Sequence, residues 1–303
     1  MTHQHIIRLI LLPLLLGPLL AFAAGEPTQQ AMLAKPDPAK LWLRSHAAMV
    51  VDQRSGQILY EKRADETLPI ASLTKLMTAM VVLDGNLDMN EIIKITRADK
   101  DTLKFSRSRL PVGTRMTRSD MLKMALMASE NRAAAALART WPGGRKAFYT
   151  AMNNKARDIG LNNTYFAEST GLQHKNISTA RDMVRLMQAA WGYPRIRELS
   201  RQAEDQVWLF NKKAALDFRN TNRLTRRPRW QIGLSKTGYI KESGRCLAMQ
   251  TTIAGRDLLV VLLNAQGRLS SFGDSGRIRQ WLETFENHQQ AQLKTIKRSK
   301  IPG

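Results

Sequence analysis

Two residues one helical turn apart supply a nucleophile and a base without histidine. Ser72 and Lys75 bound the tetrapeptide Ser-Leu-Thr-Lys, and side chains three positions apart lie on one face of a helix. At a helix start, free N–H groups and the positive dipole end favour a developing oxyanion. For the lysine to accept a proton, its pKa must fall from about 10.4 to about 7, at a cost of about 4 to 5 kcal/mol. Burial and a second cation lower a lysine pKa in this way.

Two further polar motifs contain the residue types that such a site needs. Ser129 and Asn131 interrupt two apolar helical stretches, which places them in a cleft as proton relay and substrate hydrogen-bonder, or makes Ser129 the cap of the next helix. Lys236, Thr237 and Gly238 lie on a predicted strand. There the lysine is the second cation, the threonine binds a substrate carboxylate and the glycine leaves room for substrate backbone. The alternative is an ordinary amphipathic strand.

The histidines and the cysteine exclude other common chemistries. None of the five histidines stands in H-E-x-x-H or H-x-x-E-H, and no G-x-S-x-G elbow occurs, so a zinc peptidase and a Ser-His-Asp hydrolase are disfavoured. We therefore predict no metal and no cofactor. The single cysteine, Cys246, lies in an apolar stretch and is predicted to be a packed core residue.

The elements that must position these residues change from strands to helices and back. Apolar alternation and turn residues predict strands at 47–51, 58–60, 231–240, 246–253 and 258–263. Helical periodicity predicts helices at 72–84, 118–127, 133–140, 146–159, 179–190 and 275–286. Thr117 and Thr179 are the predicted caps of the second and fifth of these helices. The simplest assembly joins early and late strands into one sheet, with helices on its faces and a helical lobe beside it.

The N-terminus has the pattern of a secretory signal. Arg8 precedes an apolar run at 9–20, and Ala21-Phe22-Ala23 fits the small-x-small cleavage rule. The run is shorter than the roughly 20 residues of a membrane span, so we expect cleavage near Ala23 and no membrane anchor. The predicted organisation is a signal at 1–23, a flexible lead-in at 24–45, a catalytic domain at 46–287 and a basic disordered tail at 288–303.

The composition describes a strongly basic protein with enough apolar residues for a core. Hydrophobic residues make up 43%, and 47 Lys and Arg against 25 Asp and Glu give a net charge of +22. Such a field attracts polyanions. Export and the absence of zinc-finger or RNA-binding signatures argue against nucleic acid. An acidic, carboxylate-bearing polymer outside the cytoplasm fits better, steered by Arg223, Arg226, Arg227 and Arg229, although a solvated surface without a specific partner explains the charge equally well.

In their order along the chain, S-x-x-K, S-x-N and K-T-G resemble the motifs of penicillin-binding proteins and serine β-lactamases. The segments 69–79, 128–134, 160–183, 220–222 and 234–238 extend the resemblance to low-molecular-weight D-alanyl-D-alanine peptidases over about residues 46–285. Among these the chain most resembles the D-alanyl-D-alanine endopeptidases of the penicillin-binding protein 7/8 type. The resemblance implies a β-lactamase/transpeptidase-like α+β fold, with a mainly antiparallel five-stranded sheet flanked by helices and a helical subdomain.

The resemblance also implies a role for each site residue. Ser72 forms the acyl-enzyme, Lys75 deprotonates it and Ser129 relays the proton to the leaving amine. The backbone N–H groups of Ser72 and Tyr239 form the oxyanion hole. The substrate-binding residues are Asn131, Lys236, Thr237, Gly238 and Tyr239. Peptidoglycan stem peptides are the implied substrate, β-lactams the covalent inhibitors and the periplasm the location.

Four functions remain open on the sequence. The favoured one is a serine D,D-endopeptidase that cuts D-alanyl cross-links, followed by a D,D-carboxypeptidase that releases terminal D-alanine. A serine β-lactamase is less favoured, because the chain has no E-x-x-L-N motif and Glu168 lies in peptidase-like surroundings. A non-catalytic wall-binding protein is disfavoured by the three intact motifs.

Overall fold

The main sheet of the computed structural model joins strands from the two ends of the chain. The structure describes residues 35–208 and 215–299. Its strands are β1 (Ser45–Asp52), β2 (Ile58–Lys62), β3 (Leu68–Pro69), β4 (Ile92–Lys94), β5 (Arg115–Thr117), β6 (Ile177–Ser178), β7 (Glu204–Trp208), β8 (Ala215–Arg219), β9 (Gln231–Ile240), β10 (Gly244–Ile253) and β11 (Arg256–Ala265). The five-stranded sheet has the order β2-β1-β11-β10-β9, and every neighbouring pair is antiparallel. The predicted five-stranded antiparallel sheet is confirmed.

Helices separate the two halves of this sheet along the chain. They are α1 (Thr74–Asp84), α2 (Arg118–Leu126), α3 (Asn131–Arg139), α4 (Gly144–Asp158), α5 (Ala180–Trp191), α6 (Pro194–Arg201) and α7 (Ser270–Ser299). The predicted helix N-caps are confirmed, because the Thr117 and Thr179 side chains accept hydrogen bonds from the backbone N–H groups of Asp120 and Asp182. Helix α6 and the β7–β8 hairpin were not predicted.

Both faces of the sheet are covered, which explains its nearly continuous apolar strands. Successive side chains of a strand point to opposite faces. Ala47, Met49 and Val51 therefore pack into the core shared with the helical middle, whereas Ala48 and Val50 pack into a second core with α7. Among the strands of the described residues, β9 pairs only with β10, and its other edge borders the helical part of the chain.

The expected lead-in and tail differ from the structure. Residues 24–45 were predicted to be flexible, but Leu41 and Leu43 are buried and the Trp281 indole donates to the Asp37 carbonyl at 2.9 Å. These residues cover the second core, next to α7, and thereby remove apolar surface from water. The last helix continues to Ser299, past the predicted disordered start at His288. From Pro36 on, the chain forms one compact unit.

The predicted signal at 1–23 lies outside the described residues. Within 35–208 and 215–299, no helix combines the length and the apolar character needed to cross a bilayer.

A buried carboxylate at the start of α7 should contribute strongly to stability. Asp274 is fully buried and accepts the backbone N–H groups of Arg44 and Ser45 at 2.9 and 2.7 Å. Asp274→Ala leaves these donors unpaired, so we expect the free energy of unfolding to fall by about 3 kcal/mol in urea titrations. Glu198→Ala, which removes an exposed ion pair with Arg195, should change it by less than about 0.5 kcal/mol. Equal losses in the two variants would contradict this reading.

Candidate active site

Ser72 lies in a short 3-10 turn, Ala71–Leu73, that leads directly into α1. The sequence predicts Ser72 as the first residue of the helix. In the structure the serine instead lies just before the α-helix. Ala71 has a φ of +46°, a left-handed conformation that side-chain-bearing residues seldom adopt. Its carbonyl accepts the Thr74 hydroxyl at 2.8 Å. The strained turn presents Ser72 at a fixed angle to the helix that carries Lys75.

Two glycines approach the backbone of this turn closely. A Cβ on Gly171 would lie 1.9 Å from the Ala71 carbonyl oxygen and 2.7 Å from Ser72 N. A Cβ on Gly238 would lie 2.9 Å from Ser72 N, so strand β9 passes the nucleophile in close contact. Only glycine permits both approaches. The Gly238 position was predicted, whereas Gly171 was not singled out.

The Lys75 side chain is fully buried and reaches three oxygens. Its Nζ lies 2.8 Å from Ser72 Oγ, 2.7 Å from Asn131 Oδ1 and 2.6 Å from the Thr170 carbonyl oxygen. A neutral amine has two N–H groups and one lone pair. The amide and carbonyl oxygens accept the two N–H groups, so the lone pair is left for the Ser72 hydroxyl proton. This arrangement equips Lys75 to deprotonate Ser72.

Burial sets the proton affinity of the two lysines. Loss of water lowers the pKa of Lys75 to about 7, against the opposing pull of Glu168 and Glu130. Burial, followed by the nearby Lys75 amine, also holds the pKa of Lys236 well below its ordinary value. The sequence had assigned the effect of a second cation to Lys75. In the structure, burial is the cause that lowers the pKa of Lys75, and the neighbouring amine lowers the pKa of Lys236.

The break between α2 and α3 brings Ser129 and Asn131 to the cleft. Ser129 has a φ of +59°, and Glu130, rather than Ser129, occupies the cap position of α3. The buried Glu130 carboxylate accepts Ser108 Oγ at 2.7 Å and the Arg109 N–H at 3.0 Å. Helix junction and neighbouring loop are thereby joined, which holds the turn on which Ser129 and Asn131 stand.

The loop at 168–173, which supplies the Thr170 carbonyl, is organised by Glu168. This buried carboxylate accepts the backbone N–H groups of Thr170 and Gly171 at 2.6 Å and that of Leu172 at 2.9 Å. Its oxygens are engaged by the loop, which differs from a carboxylate that positions a catalytic water. The sequence analysis disfavours a water-positioning role for Glu168, but it does not predict this part in holding the loop. Thr170 was missed because its contribution is a backbone oxygen.

Six of the predicted site residues line one cavity of about 390 Å³: Ser72, Ser129, Asn131, Thr237, Gly238 and Tyr239. The two remaining predicted residues, Lys75 and Lys236, are buried with 0% and 1% exposure. Thr237 donates to Thr221 Oγ1 at 2.6 Å. Tyr239 is exposed, with the Arg245 guanidinium 3.9 Å from its ring centre.

Cys246 also lines the cavity, but it is 1% exposed and belongs to the larger core. Burial raises the pKa of its thiol to about 11, so the predicted packing role is confirmed. Among the described side chains, no three His, Cys, Asp or Glu residues are arranged to hold a metal ion.

Comparison with known proteins gives the family of this chain. The sequence profile of D-alanyl-D-alanine carboxypeptidases, peptidase family S11, matches residues 32–267. The chain belongs to the S11 peptidase family. It is 43% identical over 282 residues to a D-alanyl-D-alanine endopeptidase of Pseudomonas aeruginosa, covering 93% of this chain and 89% of the relative. A D-alanyl-D-alanine endopeptidase of Escherichia coli is 45% identical over 242 residues, 80% of this chain and 78% of the relative.

Solved structures agree with the family assignment. The DD-transpeptidase of Streptomyces K15 superposes with a TM-score of 0.74 at 26% identity, over 82% of this chain and 98% of that one. Penicillin-binding protein D2 from Listeria monocytogenes, in its cefotaxime-bound form, superposes with a TM-score of 0.69 at 26% identity, over 80% and 98%. The β-lactamase/transpeptidase-like fold predicted from the sequence is confirmed.

A matched pair of glycine variants tests the support of the nucleophile turn. Gly171 and Gly56 have φ values of +84° and +72°, but a Cβ on Gly56 meets nothing within 4 Å. We expect Gly56→Ala to lower the free energy of unfolding by about 1 kcal/mol through backbone strain alone. Gly171→Ala must also displace the Ala71 carbonyl, so it should cost more than about 3 kcal/mol and slow acylation of Ser72. Urea titration measures the free energy of unfolding, and penicillin labelling measures the acylation of Ser72. Similar values for the two variants would refute the role of Gly171 in supporting the nucleophile turn.

Proposed function

We propose that this chain is a serine D,D-endopeptidase that hydrolyses D-alanyl cross-links in peptidoglycan through an acyl-enzyme on Ser72. The observation that carries the proposal is the buried Lys75 amine, with a pKa near 7, located 2.8 Å from Ser72 Oγ. Membership of the S11 family and the endopeptidase names of two relatives at 43% and 45% identity support the substrate.

The site geometry supports a two-step acyl transfer. Lys75 takes the Ser72 proton, and Oγ attacks the carbonyl carbon of the D-alanyl residue. The resulting oxyanion lies between the backbone N–H groups of Ser72 and Tyr239. As the C–N bond breaks, Ser129 donates its hydroxyl proton to the leaving amine and takes up the proton held by Lys75, so the Lys75 amine is neutral again. Water then attacks the ester with the same base, which returns Ser72 to its free hydroxyl.

The binding residues have separate tasks in this proposal. Asn131 holds the substrate amide while its Oδ1 accepts from Lys75 at 2.7 Å. Thr237 binds the carboxylate next to the scissile bond. Because a nearby negative charge favours the protonated form of a lysine, this anion counteracts the lowered pKa of the buried Lys236. Gly238 leaves room for substrate backbone along the β9 edge.

Slow hydrolysis of a β-lactam acyl-enzyme follows from the loop at 168–173. A carboxylate that must position water needs a free oxygen near the ester. The Glu168 oxygens instead accept four backbone N–H groups of their own loop and the side-chain amide of Asn176. We therefore propose that β-lactams are covalent inhibitors, and that β-lactamase turnover is not the function of this chain.

The proposal includes export. We propose that residues 1–23 are a cleaved signal peptide and that the mature protein acts in the periplasm on stem peptides rather than on nucleic acid. The catalytic domain spans about 46–287 in this view. Steering of anionic wall polymer by the exposed Arg223, Arg226, Arg227 and Arg229 stays a prediction.

The pH dependence of acylation tests the lysine base. Only unprotonated Lys75 accepts the Ser72 proton, and its pKa is about 7. The second-order rate of penicillin acylation should rise about tenfold per pH unit below that value and level off above it. Because a histidine titrates in the same range, His174→Gln serves as the control and should keep the profile. Lys75→Arg should not react, since a guanidinium stays protonated. A flat rate between about pH 5 and pH 9 would refute the assignment.

Digestion of a purified cross-linked muropeptide dimer tests the substrate. We expect chromatography to show conversion of the dimer into monomers by the wild type. Ser72→Ala should be inactive and fail to bind fluorescent penicillin, with a melting temperature within about 2 °C of the wild type. An intact dimer together with release of terminal D-alanine from a pentapeptide would establish the carboxypeptidase instead. Rapid turnover of nitrocefin would indicate a β-lactamase.

A further inference from the structure

The loop at 101–106 is a built feature at the mouth of the cleft. The Asp101 carboxylate accepts the backbone N–H groups of Leu103, Lys104 and Ser106 at 2.8, 2.9 and 2.8 Å. Three such bonds fix a short segment that has no helix or strand of its own. The loop therefore presents its side chains in defined positions.

Phe105 is the unusual residue of this loop. Its φ is +52° and its side chain is 80% exposed, the largest exposed fraction among the described large hydrophobic residues. A left-handed backbone at a bulky residue is strained. An aromatic ring that is mostly exposed also gains little free energy from burial. Strain of this kind is held by the surrounding structure and is concentrated at ligand sites.

Contacts of the two residues beside Phe105 fix the position of its backbone at the cleft. On one side, Ser106 Oγ accepts Asn131 Nδ2 at 2.9 Å, and Asn131 lines the Ser72 cavity. On the other side, Lys104 forms an ion pair with Glu242, which lies in the turn between β9 and β10. Phe105 is thus held between the helical lobe and the end of the strand that carries Tyr239.

The proposed mechanism gives the two ends of the cleft different occupants. Ser129 protonates the leaving amine, so the leaving half of the substrate lies toward Ser129 and Thr237. The end near Tyr239 and the Lys104–Glu242 ion pair is left for the half that becomes the acyl group. Phe105 lies at this acyl-donor end.

We propose that Phe105 is a specificity-determining residue that packs its ring on the aliphatic side-chain carbons of the acyl-donor stem peptide. The inference rests on the proposed function, because that function assigns the donor half to this end. In this arrangement, Asn131 and the edge of β9 bind the polar groups of the donor. The ring covers the apolar side of the same peptide, and the Lys104–Glu242 ion pair holds the loop in position.

The test compares two acyl donors, of which only one has a donor side chain that reaches Phe105. The cross-linked dimer carries the full stem peptide, whereas 6-aminopenicillanic acid acylates Ser72 without any donor side chain. Phe105→Gly should lower kcat/KM for the dimer about tenfold, while the acylation rate with 6-aminopenicillanic acid changes less than about twofold. Its melting temperature should not fall, because glycine adopts a positive φ without strain.

Two control variants make the comparison specific. Phe105→Leu keeps an apolar side chain and should retain about a third of the dimer activity. Trp42→Ala removes another exposed aromatic ring, 66% exposed and stacked under Arg277, and should leave both rates unchanged. Equal losses with the two acyl donors, or no loss with the dimer, would overturn the proposal for Phe105.

Failure of the proposed function would look different. A wild type that binds penicillin yet leaves the dimer intact would refute the endopeptidase, not the donor site. The pentapeptide shares the donor half, so the Phe105→Gly effect is then measured on release of its terminal D-alanine. A tenfold loss there supports the donor site and an unchanged rate overturns it.

Charge exchange tests the positioning role of the ion pair. Lys104→Glu and Glu242→Lys should each raise KM for the dimer about threefold with little change in kcat, because an exposed pair contributes modestly. The double variant restores the pair in reverse and should bring KM within about twofold of the wild type. A double variant that is no better than the two singles would show that the ion pair does not position the loop.

Discussion

The site depends on keeping one lysine amine dry and leaving its lone pair free. Lys75 is completely buried, and its two fixed acceptors are Asn131 Oδ1 and the Thr170 carbonyl. Without them a buried amine would leave N–H groups unpaired, at a cost comparable to a lost hydrogen bond. With them the lone pair is directed to Ser72. The base is therefore produced by packing from three separate parts of the chain, and no histidine is required.

Three acidic residues maintain the loops around this amine. Glu168, Glu130 and Asp101 each accept backbone N–H groups from the loop beside them. The loops need such fastening because the backbone is left-handed at Ala71, Ser129 and Phe105, conformations that local preference disfavours. In a chain with a net charge of +22, these carboxylates have a structural task close to the reaction centre. The strained residues and the hydrogen bonds that stabilise them therefore occur together around the Lys75 amine.

The fold alone does not distinguish a hydrolase from a transpeptidase or a β-lactam-binding protein, since one architecture supports several reactions. The neighbours with TM-scores of 0.74 and 0.69 include a transpeptidase and a penicillin-binding protein. What differs among such reactions is the group that attacks or leaves the acyl-enzyme and the surface that receives it. In the function proposed for this chain, that difference depends on the edge of β9 and on the exposed loop at 101–106. The proposal assigns the shared chemistry to Ser72 and Lys75 and the choice of substrate to the rim of the cleft.

The sequence by itself determined the features that local spacing specifies. These are the three motifs, the five sheet strands and the caps at Thr117 and Thr179, because periodicity and capping act over a few residues. Tertiary structure alone decided which carbonyl receives the Lys75 amine, since Thr170 is 95 residues away in the chain and contributes a backbone atom common to every residue. It also decided the β7–β8 hairpin, the packed lead-in and the extent of α7. Those depend on surfaces that exist only after distant segments have met.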